Sequence, residues 1–200
     1  MIRINELKLP LDEDEQELYR LAAKALKIGE RHIRELTICK KSVDCRKKDD
    51  IKFIFSVDVA LDIDEKRVAS KAGNRVSLSE KSVYTLPPVK RKSTLRPVIV
   101  GFGPSGMFAA LTLTEAGLSP IIIERGETVD ERTASVKSFW RTRVLNPESN
   151  VQFGEGGAGT FSDGKLMTGI KKDKYTAKVL EEFVKAGAPG EILYLAKPHI

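Results

Sequence analysis

Val98-Ile99-Val100-Gly101-Phe102-Gly103-Pro104-Ser105-Gly106, an apolar-periodic stretch to Gly117, and then Pro120-Ile121-Ile122-Ile123-Glu124-Arg125 decide how the second half of this chain is read. Three apolar β-branched residues run into G-x-G-x-x-G. The spacing predicts a strand, a tight turn, a helix and a second strand ending in a carboxylate, which is the βαβ fingerprint of a dinucleotide site.

Each residue type has a physical job in that pattern. Gly101 permits the sharp turn, Gly103 leaves no side chain where a diphosphate approaches, and Gly106 lets the helix pack close to the strand. A diphosphate would sit on the N-terminus of the helix, where unbonded N–H groups and the positive dipole end favour an anion. Glu124 follows Gly101 by 23 residues, where its carboxylate can accept from ribose hydroxyls and would repel a 2′-phosphate.

The chain of 200 residues is 41% hydrophobic and 31% charged, a globular composition with room for one or two domains. No run approaches the ~18 apolar residues of a membrane span, and the N-terminus interleaves charge with apolar residues, unlike a signal peptide. No membrane association is expected, and the cytoplasm is the default location. Cys39 and Cys45 lie roughly 20 Å apart if they share one extended strand, beyond disulfide reach. With His32 and His199 the only histidines, neither a disulfide nor a metal site is expected.

The net charge of +6 is unevenly distributed. Residues 1–96 carry 22 Lys and Arg against 16 Asp and Glu, while residues 97–200 carry 12 of each. This asymmetry points to two domains and keeps RNA as an alternative partner for the first. The basic run Lys40-Lys41 with Arg46-Lys47-Lys48 is interrupted by Asp44, Asp49 and Asp50 and has no interleaved aromatics, which favours a solvated hairpin over an RNA platform.

In the first half, residues 1–11 alternate loosely through Ile2, Ile4, Leu7, Leu9 and Leu11, which suggests a strand followed by a turn at Pro10. Asp12 and Glu15 form a capping-box pair, and Leu18, Leu21, Ala22, Ala25 and Leu26 make one helical face ended by Gly29. Residues 33–43 and 51–61 read as strands joined by a charged hairpin, 64–72 as a short helix stopped by Gly73, and 76–84 as a last strand. The order β-α-β-β-α-β predicts a ferredoxin-like sandwich over residues 1–85. The prolines and charges of residues 86–96 read as a linker.

A second glycine cluster runs Gln152-Phe153-Gly154-Glu155-Gly156-Gly157-Ala158-Gly159-Thr160-Phe161-Ser162-Asp163-Gly164-Lys165, with Gly169 beyond it. Such a segment lets backbone approach a flat or anionic ligand. Between the two clusters, residues 127–145 read as a helix carrying Val129, Arg132, Val136, Phe139 and Trp140, and Arg132 could fold back toward a diphosphate. Near the end, a helix around Leu180 and Phe183 precedes a strand-like stretch at 192–195.

With both clusters read, the segments 98–117, 121–132 and 150–166 resemble the uncharacterised FAD-dependent dehydrogenases of the wider two-dinucleotide-fold flavoprotein class. The resemblance implies an α/β architecture: a ferredoxin-like α+β module followed, over 97–200, by the N-terminal half of a Rossmann-type FAD-binding domain. It implies FAD with its adenosine ribose on Glu124 at the Glu124-Arg125-Gly126 turn and its diphosphate over Gly101, Gly103, Pro104, Ser105 and Gly106. Arg125 and Arg132 would lie nearby, and Gly157, Ala158 and Gly159 would approach the diphosphate, ribityl chain or isoalloxazine. NAD(P)H is the candidate electron donor of the complete enzyme, which acts on an unknown small molecule. No catalytic residue follows from the resemblance. Members run to several hundred residues, so this chain looks truncated, the N-terminal part of a larger flavin oxidoreductase and by itself inactive.

Overall fold

The computed structural model describes residues 1–80, 83–90, 93–166 and 174–200. The fold is mixed α/β, with an antiparallel sheet and a small parallel sheet in separate compact units. One unit comprises Met1–Tyr84 with Lys165–Ile200, and the other Thr85–Gly164. Residues 165–200, placed with the dinucleotide segment by the sequence reading, thus group with the first unit.

The first unit is built on β1 (Ile2–Pro10), β2 (Ile33–Asp44), β3 (Lys52–Leu61) and β4 (Val76–Leu78), in the order β2-β3-β1-β4 with every neighbour antiparallel. Helices α1 (Glu17–Leu26) and α2 (Glu65–Lys71) supply Leu18, Ala22, Ala23, Leu26 and Val68 to the core. They meet Ile2, Ile4, Leu7 and Leu9 of β1 and Phe55, Val57 and Val59 of β3. The three-residue step from Ile4 to Leu7 breaks strict alternation, and a bulge absorbs it. The register shifts between those residues and Glu6 takes φ 58°, so Leu7 and Leu9 return to the core face.

Three boundaries differ from expectation for identifiable reasons. Helix α1 does not begin in an Asp12–Glu15 capping box, because the Glu15 carboxylate is taken by Lys41 Nζ at 2.5 Å, and Asp14 Oδ1 instead accepts from Gln16 N at 2.7 Å. It ends before Gly29: Lys27 takes the left-handed conformation at φ 56°, the Ile28 N–H donates to Ala23 O, and Ile28 packs against the core. Strand β4 stops at Leu78 because its partner β1 begins at Ile2, and the pairing closes with one further bond from the Ser79 N–H to Met1 O at 3.0 Å. The expected strand continued to residue 84, and its positions 81 and 82 lie outside the described residues.

Toward the C-terminus, α5 (Lys174–Lys185) is followed by a 3-10 turn at Gly190–Leu193 where a strand was expected. Within that stretch Leu195 bridges to β2. The Lys41 N–H donates to Tyr194 O at 2.8 Å and the Ala196 N–H donates back to Lys41 O at 2.9 Å, covering one point on the open edge of β2.

In the second unit β5 (Val98–Val100) and β6 (Ile121–Ile123) pair in parallel, joined by α3 (Pro104–Glu115) and followed by α4 (Val129–Thr142). Glycine at the N-cap and proline at the first helical position start α3. Thr128 starts α4, its N–H and hydroxyl both donating to the Glu131 carboxylate. Val98, Val100 and Ile121 to Ile123 are exposed, Val100 at 84%. Among the described residues no helix is long and apolar enough to cross a membrane.

Candidate functional site

The turn between β5 and α3 is where the two glycine clusters meet. Gly101 adopts φ +94°, open to glycine and strained for other residues, and its N–H continues the parallel pairing by donating to Ile123 O at 2.7 Å. A Cβ on Gly106 would collide with the Gly101 carbonyl, so the third glycine is required by the approach of helix to turn. Gly103 caps α3 in extended conformation. Pro104 and Ser105 are exposed beside it, where the first-turn N–H groups face outward.

Glu124, at the end of β6, closes the same turn. Its Oε2 accepts from the Phe102 N–H at 2.6 Å and its Oε1 from the Gly126 N–H at 2.8 Å. These two backbone bonds, with the positive charge of Arg132, hold its carboxyl below the usual range against a smaller effect of burial. A carboxylate has about four acceptor positions, so lone pairs remain for hydroxyl donors. Arg125 is exposed, paired with Glu148 at 3.0 Å and stacked toward Phe153.

The second cluster is docked on the first. The Gly156 N–H donates to Phe102 O at 2.9 Å, and a Cβ on Gly157 would lie 3.3 Å from Gly103 Cα and 3.1 Å from Pro104 Cδ. Gly157 sits at φ +65° and opens a 3-10 turn, Gly157–Phe161, that carries Ala158 and Gly159 on the surface. Gly169 lies outside the described residues.

Arg132 lies behind the second cluster, near enough to Glu124 for their charges to interact. It is fully buried, and its guanidinium donates to Asn150 O at 2.8 Å, Val151 O at 2.9 Å, Glu155 O at 2.5 Å and Thr160 Oγ at 3.2 Å, with Phe161 against it. The structure therefore brings together Gly101, Gly103, Pro104, Gly106, Glu124 and Gly157 and seats Arg132 behind the second cluster. Sequence reasoning missed Gly154 and Gly126 as packing positions. A Cβ on Gly154 would meet Arg132 Cδ at 2.7 Å, and one on Gly126 would collide with Gly154.

The basic hairpin has another character. Asp44 accepts bidentately from Arg46 and Asp50 pairs with Lys52, so two of its basic side chains are paired within the hairpin. Lys41 is turned toward Phe53 and Phe55 and held by Glu15. Among the described residues no three His, Cys, Asp or Glu side chains converge as metal ligands.

Comparison with known proteins adds two findings. A domain family of unknown function, DUF8436, matches residues 1–60. An uncharacterised protein of Clostridium beijerinckii (strain ATCC 51743 / NCIMB 8052) is 49% identical over 201 residues, an alignment that covers 100% of this chain and 37% of the relative. The chain thus spans little more than a third of the length of the curated relative it matches.

Proposed function

We propose that this chain is the FAD-binding portion of a flavin-dependent oxidoreductase of the two-dinucleotide-fold class, with β5-α3-β6 as the opening of a Rossmann-type domain and the first unit as a ferredoxin-like module. The strand order β2-β3-β1-β4 with two helices on one face supports the module. One observation carries the cofactor reading: two glycine segments meet at Gly103 and Gly157 beside the start of α3, with the Glu124 carboxylate at the end of the adjacent parallel strand.

The residues fit such a group on three counts. Around α3's N-terminus, Gly101 and Gly157 hold positive φ values that strain other residues and a Cβ on Gly106 would collide with the Gly101 carbonyl, so backbone rather than side chain lines the approach at these positions. Glu124 is held ionised beside the turn, suited to accept from ribose hydroxyls. Ala158 and Gly159 add small exposed residues next to Gly157. Gly101, Gly103, Ser105, Gly106 and Gly157 would hold the diphosphate and Glu124 the adenosine ribose. The flavin, when bound, supplies hydride and electron transfer to a small-molecule substrate. The residues of this chain bind and orient it.

Deuterium exchange of the chain with and without FAD tests the site. Saturable protection confined to 98–107, 124–126 and 154–160, and reproduced in part by ADP, is the expected result. Protection elsewhere, or none at millimolar FAD, would overturn the reading.

A further inference from the structure

We infer that Arg132 is a positioning residue: its buried guanidinium fixes the second glycine segment so that Gly156 and Gly157 stand against the Phe102–Pro104 turn. The consequence for cofactor binding rests on the dinucleotide reading above, while the positioning itself does not.

The argument follows the bonds. Asn150, Val151 and Glu155 bracket a loop of six residues, and all three of their carbonyls accept from one planar group. Glu155 is further locked by its N–H donating to Glu127 O and its carboxylate accepting from the Val129 N–H at 2.7 Å. The next residue, Gly156, makes the 2.9 Å bond to Phe102 O, and the next, Gly157, reaches Gly103 and Pro104. Any displacement of Glu155 is therefore passed directly to the wall of the site.

Arg132 is suited to this by chemistry as well as place. Burying a cation is costly unless its donors are bonded. Here its fork meets three carbonyls and a hydroxyl, and among the described residues no carboxylate forms an ion pair with it. Burial draws its pKa down while the Glu124 carboxylate opposes that shift. The side chain's stem also requires Gly154, since any Cβ there would strike Arg132 Cδ. A lysine has no planar fork and cannot serve these acceptors together.

Arg132→Lys and the milder Thr160→Val, which removes one acceptor of the guanidinium and the hydroxyl bond to Glu155 O, test the assignment. Deuterium exchange is read over 149–161 and over 98–107 in each variant, alongside FAD titration. Exchange in 149–161 should rise about tenfold in Arg132→Lys, the factor corresponding to one such hydrogen bond, with 98–107 unchanged. FAD affinity should fall by a similar factor, and Thr160→Val should move both readouts less, in the same direction. Unchanged exchange in 149–161, an equal rise over the whole chain, or undiminished FAD affinity in a variant whose 149–161 has opened would overturn the inference. If Arg132→Lys does not fold, Thr160→Val decides by the same comparison. If the unmodified chain binds no FAD, the dinucleotide reading fails and the exchange comparison alone decides the role of Arg132.

Discussion

The Gly156 N–H donates to the Phe102 carbonyl at 2.9 Å, joining two glycine clusters that lie more than fifty residues apart in the chain. This bond links the second cluster to the start of α3, and Gly157 follows it into contact with Gly103 and Pro104.

Gly157→Ala should therefore separate the two clusters. The new methyl meets Pro104 Cδ at 3.1 Å and the residue must keep φ +65°, a combination worth about 1 to 3 kcal/mol. Gly106→Ala should destabilise the second unit more, because its methyl meets the Gly101 carbonyl, a backbone group that cannot move aside. Chemical denaturation of both variants checks the order. Equal, negligible effects would contradict the packing described.

Glu124→Ala should weaken FAD binding by about 1.5 to 3 kcal/mol, the range for hydrogen bonds to a charged group. It should also lower stability, because the Phe102 and Gly126 N–H groups lose their acceptor. The folded carboxyl is depressed, so its contribution is complete above the ordinary carboxylate range and is lost as pH falls through the depressed folded value. Glu124→Gln should accordingly flatten the acid limb of stability below about pH 4.5. Urea midpoints at several pH values measure this, and an acid limb unaltered by the substitution would contradict it.

How far the sequence could be read depended on whether a signal was local. The βαβ unit was legible because its glycines, helix start and terminal acid are each dictated within a few residues of chain. The helix face of α1 was legible from its periodicity, but its first turn was not, since Glu15 is recruited by Lys41 on a distant strand. The bulge at Glu6 was visible only as the Ile4-to-Leu7 step and had no residue type to announce it. Arg132 was noticed for its charge, but its destination depends on carbonyls of residues 150, 151 and 155, and carbonyl direction leaves no trace in composition.

On the sheet face away from the helices, Arg3 donates to both oxygens of the buried Asp58 at 2.8 and 2.7 Å. Burial alone would raise the Asp58 carboxyl, but the Arg3 guanidinium, assisted by the Cys39 and Ser79 side chains, more than offsets it and leaves it below the ordinary range. Arg3→Met should cost about 1 to 2 kcal/mol, less than a fully enclosed pair because Arg3 retains water contact. The loss should be present above about pH 4 and shrink as pH falls through the folded value of Asp58. Thermal melts at neutral and acidic pH check this, and a pH-independent difference would contradict it.

Residues 1–84 should fold without the rest of the chain. Among the described residues, the thirteen that form the buried cluster between sheet and helices fall between Ile2 and Val68, while Leu180 and Ile192 are buried outside that cluster and residues 194–196 pair with the edge of β2 at Lys41. A single cooperative melt by circular dichroism is expected for 1–84, with a midpoint slightly below that of the longer chain. A featureless melt would show that 165–200 are needed to complete the unit.

The central claim is tested most directly by purifying the protein at its full natural length, recording its visible absorbance, and identifying the chromophore that denaturation releases. The account predicts a flavin spectrum and FAD released in equimolar amount, reduced by Glu124→Ala and Gly157→Ala. Tight binding of NAD or NADP with no flavin retained, and no flavin recovered after incubation with FAD, would contradict it.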